Sequence, residues 1–173
     1  MSTRELADAM SRLGTETAFE VLARAKALEA QGRTIVHLEI GEPDFDTPPN
    51  IRERAKRALD EGYTHYGPSP GLPVARAAVA EYVSKTRGIP VAPEEVILTP
   101  GGKPIMFFAI LALCQPGDEV IYPNPGFPIY ESMIRFVGAK AVPLPLGDTR
   151  QFRPDLDQLA SLVNPRTKLI ILN

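Results

Sequence analysis

The sequence predicts an α/β fold built on a mostly parallel sheet. Three observations carry that expectation. From residue 96 onward, short β-rich apolar runs alternate with segments of helical periodicity, the pattern of strand–helix units. The 18 prolines punctuate loops between these segments and form no Pro-rich tract. The final run, Thr167-Lys168-Leu169-Ile170-Ile171-Leu172-Asn173, reads as a strand buried on both faces. A parallel strand of that kind needs a crossover helix after it. The expectation is therefore the front part of a larger α/β enzyme, its sheet incomplete in this chain.

The elements follow in order. Residues 18–30 read as a helix with Phe19, Leu22, Ala23 and Ala27 on one face and Gly32 as the stop. Residues 34–40 alternate like a strand, and the loop 41–49 holds too much proline and glycine to continue it. Asn50 is the expected cap of a helix reaching Asp60, with Gly62 beyond. A loop at 63–71 precedes a helix over 73–86, with Val74, Ala77, Ala78 and Tyr82 apolar and Gly88 after it. Strands are expected at 96–99, 120–122 and 141–144, and helices at 105–113, 129–136 and 156–162. Pro143 marks its strand as an edge or an end.

Composition narrows the function classes. The chain has 173 residues, 44% hydrophobic and 23% charged, which suits a soluble globular protein. A net charge of -2 gives no basic patch for nucleic acid. The charged N-terminus (Arg4, Glu5, Asp8) lacks the apolar core of a signal peptide, and no apolar run suits a membrane span. The single cysteine, Cys114, has no disulfide partner and reads as a small buried hydrophobe, so a reducing, cytoplasmic setting is expected. His37 and His65 belong to no triad or metal set, and no carboxylate cluster of metal-site type occurs.

Three segments could carry chemistry. In Thr99-Pro100-Gly101-Gly102-Lys103-Pro104 a strand ends, two glycines follow and a helix opens. Helix N-termini present backbone N–H groups and a positive dipole end, which suit phosphate. A tight turn with no ligand is the alternative. Neither the P-loop spacing nor G-x-G-x-x-G is present. Phe127, between Pro125-Gly126 and Pro128, follows a strand and could form one wall for a flat heteroaromatic ligand, or could fill the core. Tyr66, in a stiff glycine- and proline-rich loop, could donate to an anion or pack on proline as a surface residue.

These segments together resemble the class I/II aminotransferases, fold-type-I enzymes dependent on pyridoxal 5'-phosphate (PLP). The pieces come in family order: Leu38-Glu39-Ile40-Gly41-Glu42-Pro43-Asp44-Phe45, Tyr66 with Gly71-Leu72-Pro73, Thr99-Pro100-Gly101-Gly102-Lys103, Pro116-Gly117-Asp118-Glu119-Val120, and Pro125-Gly126-Phe127-Pro128 with Tyr130. The resemblance implies a PLP-dependent transferase fold of type I, with 1–45 in the small domain and 46–173 the first half of the large one. It implies that Gly101, Gly102 and Lys103 hold the cofactor phosphate, that Phe127 stacks on the pyridine ring, and that Tyr66 reaches the phosphate of a partner subunit in a homodimer. Gly41 is implied in the loop that closes on the substrate carboxylate. Lys103 is implied near the substrate side chain, favouring acidic substrates.

The resemblance also implies absences. The Schiff-base lysine, the aspartate that pairs with the pyridine nitrogen and the arginine for the substrate carboxylate fall outside these residues, and neither Lys103 nor Asn173 takes such a role. No catalytic residue and no metal ligand is assigned here. The expected function is amino-group transfer between an L-amino acid and a 2-oxo acid by the intact parent protein, with this chain alone inactive. A carbon–sulfur lyase of the same fold and a truncated, non-catalytic partner-binding chain are the alternatives.

Overall fold

The computed structural model describes residues 5–14 and 17–173, so Arg4 lies outside the described residues. The elements are α1 (Thr17–Glu29), α2 (Pro49–Asp60), α3 (Pro73–Arg87), α4 (Lys103–Leu113), β1 (Glu119–Asn124), α5 (Ile129–Phe136), β2 (Lys140–Pro145), α6 (Leu156–Leu162) and β3 (Thr167–Ile170). They form two compact units, one of residues 40–100 and one of 1–39 with 101–173.

The second of these units holds a three-stranded sheet in the order β2-β1-β3, with both pairings parallel. β1 is central, and its Val120 and Ile121 are fully buried on opposite faces. On one face Val120 and Tyr122 pack with Ile110 and Cys114 after α4, and with Tyr130, Met133 and Ile134 of α5. On the other face Ile121, Val142 and Leu144 meet Leu159 and Leu162 of α6. The layering is helix, sheet, helix, as strand–helix alternation requires. Pro143 pairs with Tyr122 from an edge strand, where its missing N–H leaves no ladder position empty on the outer side.

Glu119 locks the amino ends of the three strands. Its carboxylate accepts from Lys140 Nζ at 3.2 Å, Asn164 Nδ2 at 2.9 Å and Arg166 Nε at 2.9 Å. These bonds, Asn164 and Arg166 foremost, hold its carboxyl at about 2, well below the usual range, against the opposing effect of desolvation.

Several expectations are corrected. Residues 34–40 and 96–99 form no strand and join no described ladder, and residues 39–40 bend. Sequence alternation selects an extended backbone, whereas a strand also needs a neighbour to pair with. In 34–40 the side chains bond locally instead: His37 lies 2.6 Å from Glu39 and 2.9 Å from Glu29, and the two carboxylates, Glu39 first, raise its pKa. The closing strand is half exposed rather than buried, since β3 is an edge with one neighbour. α1 turns Ala18, Leu22, Ala25 and Leu28 inward, leaving Phe19 exposed.

In the unit of residues 40–100, α2 starts two residues earlier than expected. Pro48 is the cap residue and Pro49 opens the helix, where a missing N–H costs nothing. α3 likewise opens on Pro73 and closes on Gly88, whose φ of 67° lets its N–H reach the Ser84 carbonyl. The α3 face turned inward carries Arg76, Ala80, Val83 and Ser84, not Val74 and Tyr82. Arg76 Nε donates to the Val96 carbonyl at 2.8 Å, and the Leu98 N–H donates to the Pro70 carbonyl at 2.9 Å.

Candidate functional site

The glycine pair sits where backbone meets helix. Gly101 has φ of 93°, a conformation that side-chain-bearing residues avoid. Gly102 is the cap residue of α4, and Pro104 lies in the first turn. A Cβ built on either glycine would meet nothing within 4 Å. The turn therefore opens onto free space at the helix end where N–H groups have no preceding carbonyl in the helix. Lys103 is exposed beside it.

Phe127 is brought to the same place by β1. The chain leaves Asn124, whose carbonyl accepts from Leu146 N–H at 2.7 Å, and turns through Pro125 and Gly126. Any Cβ at 126 would overlap the Pro123 carbonyl oxygen, so the tight turn demands glycine. α5 then begins, and the Tyr130 N–H donates to the Phe127 carbonyl at 3.0 Å. The buried Tyr130 ring meets Phe127 edge-on, with centroids 5.9 Å apart and planes at 90°. Edge contact is a favoured aromatic geometry, and it fixes the ring plane. Phe127 is 37% exposed.

The two segments meet through Lys103. Its Nζ lies 5.9 Å from the Phe127 centroid. Gly101, Gly102, Lys103 and Phe127 thus converge at the carboxyl end of β1, where open α/β sheets place their ligands. On the far end of α5, Arg12 donates to the carbonyls of Arg135 at 3.0 Å and Phe136 at 2.9 Å, while the Gly14 N–H donates to Ser132 Oγ at 3.0 Å. A cation on the last carbonyls of a helix both caps it and complements its dipole. Arg12 is a support that sequence reasoning missed, because its partner is 123 residues away.

Gly41 and Tyr66 belong to the unit of residues 40–100. Gly41 has open space around a built Cβ, and Tyr66 is fully exposed. Cys114 is buried, which pushes its thiol pKa up, with Asp118 adding to the effect. Among the described residues no cluster could hold a metal ion, and no helix is long and apolar enough to cross a membrane.

Comparison with known proteins places this geometry. Residues 33–173 match the family described as aminotransferase class I and II. The chain is 44% identical over 154 residues to the aspartate aminotransferase of Pyrococcus horikoshii, covering 89% of this chain and 38% of that protein. It is 39% identical over 170 residues to a probable aspartate/prephenate aminotransferase of Thermus aquaticus, covering 98% of this chain and 44% of that protein. The solved aspartate aminotransferase of Thermus thermophilus with maleate superposes with a TM-score of 0.91 at 38% identity, over 98% of this chain and 44% of that one. The chain thus spans well under half the length of these relatives. With residues 33–173 matched by the family model, the chain belongs to the class I and II aminotransferases.

Proposed function

We propose that the parent protein is a PLP-dependent aminotransferase that moves an amino group between a dicarboxylic L-amino acid and a 2-oxo acid. The carrying observation is the meeting of the open Gly101-Gly102 turn with the Phe127 ring across Lys103. These residues fit the cofactor. An anion needs donors, space and a cation, and the turn offers a helix N-terminus, room where no Cβ stands and an exposed lysine. A flat pyridine ring needs an aromatic face, and Phe127 exposes one held by Tyr130. When bound, PLP supplies an electron sink for the substrate α-carbon.

The residues of this chain then divide the work of the clamp. Gly101 and Gly102 let the backbone approach the phosphate, and Lys103 adds charge at its rim. Phe127 covers one ring face and excludes water from it. Gly41 closes on the substrate carboxylate from the loop after residue 40. The full exposure of Tyr66 suits a residue that reaches a partner subunit, which supports a homodimer. The assignment of 1–45 to the small domain and 46–173 to the large one belongs to the same reading, as does a cytoplasmic location. The names of the relatives support aspartate as donor.

Incubating the full-length protein with PLP, L-aspartate and 2-oxoglutarate should yield oxaloacetate and glutamate. Release of pyruvate and ammonia from a cysteine conjugate, without amino transfer, would select the lyase alternative. The 173 residues expressed alone should show neither reaction. Amino transfer by them would sink the view that the Schiff-base lysine lies elsewhere.

A further inference from the structure

Residues 8–14 cross α5 as a strap on the side away from the sheet. Arg12 Nε donates to the Arg135 carbonyl at 3.0 Å, and Nη2 to the Phe136 carbonyl at 2.9 Å. One turn back, the Gly14 N–H donates to Ser132 Oγ at 3.0 Å, and that hydroxyl donates to the Gly14 carbonyl at 3.3 Å. These bonds hold the strap more than packing does. None of its residues is buried, and Leu13 is 38% exposed. A cavity of about 570 Å³ lies between Arg12, Leu13 and Gly14 on one side and Pro128, Ser132 and Arg135 on the other.

The end of α5 explains the arginine. The Val137, Gly138 and Ala139 N–H groups donate to the Met133, Arg135 and Ile134 carbonyls. The Phe136 carbonyl accepts from Arg12, 124 residues away in sequence. On the sheet side α5 is held by Tyr130, Met133 and Ile134. Apolar packing is non-directional, so it restrains roll and slide poorly. Hydrogen bonds weaken steeply off their axis, so the strap restrains both.

That restraint reaches the ring wall. α5 has eight residues, about 12 Å of helix, short enough to move as one rod. Its first turn carries Tyr130, whose N–H donates to the Phe127 carbonyl and whose ring meets Phe127 edge-on. A roll of the helix therefore tilts the Phe127 ring.

We propose that Arg12 is a positioning residue for the cofactor: through α5 and Tyr130 it sets the plane of the Phe127 wall. The proposal rests on the aminotransferase reading for the ligand and on the strap geometry for the residue. Because Arg12 acts through the ring, losing it costs no more than losing the ring. The expected loss is roughly 2–5-fold in affinity, within the range of one aromatic contact.

The test uses the full-length protein and pyridoxamine 5'-phosphate, which has the ring and the phosphate but no aldehyde. Inorganic phosphate serves as a competitor that reads the phosphate site alone. Arg12→Met keeps the aliphatic stem and loses the donors. It should bind pyridoxamine 5'-phosphate roughly 2–5-fold more weakly, while inorganic phosphate competes as in the wild type. Arg12→Lys, which can still donate to the last carbonyls, should regain part of the loss. On a Phe127→Ala background Arg12→Met should cost nothing further, because the wall it positions is gone. Ser132→Ala removes the Gly14 pair and leaves the guanidinium in place. It should show the same pattern in smaller measure, and it decides the matter if Arg12→Met does not fold. Losses that add to that of Phe127→Ala overturn the proposal, as does an equal loss for inorganic phosphate or an unchanged affinity. A wild type that binds no pyridoxamine 5'-phosphate would overturn the cofactor reading and the proposal together, whereas additive losses in a protein that binds it would overturn the role of Arg12 alone.

Discussion

Arg166 lays two nitrogens on one oxygen of Glu119, with Nε at 2.9 Å and Nη2 at 2.8 Å from Oε1. The pair joins the start of β1 to the turn before β3, and Lys140 and Asn164 complete the set. A carboxyl held at about 2, against an ordinary 4.5, contributes stability that is full above about 4.5. As pH falls from there toward 2, the unfolded chain binds the proton first and the contribution is lost. Glu119→Gln should lower the Tm by several degrees at pH 7. Thermal melts from pH 7 to 2 should show the gap to wild type closing below pH 4.5, and a gap that stays constant would exclude this ion-paired network as its source.

Gly101 and Gly102, proposed to hold the cofactor, make opposite demands. Gly101 needs its positive φ of 93°, so Gly101→Ala should cost about 1–2 kcal/mol from backbone strain alone. Gly102 has φ of -81° and open space around a built Cβ, so Gly102→Ala should leave stability within about 0.5 kcal/mol. Its methyl group would still enter the space proposed for the phosphate. Denaturant melts and PLP titrations together should show stability loss for the first variant and affinity loss without it for the second. Normal PLP affinity in Gly102→Ala would move the phosphate elsewhere.

Gly126→Ala should damage the loop that carries Phe127. The added methyl overlaps the Pro123 carbonyl oxygen, and backbone cannot yield as a flexible side-chain tip would. Strain of this kind costs about 1–3 kcal/mol. Urea unfolding checks the stability loss, and weakened PLP binding in the same variant would show that the loop holds the ring wall in place.

Phe127→Ala removes the ring wall proposed for the cofactor, and Phe127→Trp keeps it. Aromatic pairs add about 0.5–1.5 kcal/mol beyond area, so the alanine variant should bind PLP roughly 2–10-fold more weakly. The tryptophan variant should remain near wild type. Equal loss in both would mean that the position matters for fit to Tyr130 rather than for stacking on the cofactor.

Cys114 should be inert in the native state. It is buried behind β1, and burial raises its thiol pKa, so thiolate is scarce at neutral pH. A chromogenic disulfide reagent at pH 7.5 should react with it only after denaturant is added. Rapid native reaction would show that α4 opens readily from the sheet.

Local chemistry determined much of this protein directly. Ile129–Phe136 and Leu156–Leu162 are the spans that apolar periodicity selects, and the glycines at 62 and 88 end their helices through positive φ. The glycine turn and the Phe127 loop were legible as local structure because their needs are local: a positive φ at Gly101 and a close backbone approach at Gly126. Pairing and facing were not. The runs at 34–40 and 96–99 have strand-like sequences but no ladder, because hydrogen-bond partners come from distant chain. Which side of α1 turns inward, which carbonyls Arg12 caps and which rings flank Lys103 were likewise decided by the tertiary structure. Periodicity fixes the angles between side chains on one helix, but only packing against remote segments decides which of those angles becomes the inside.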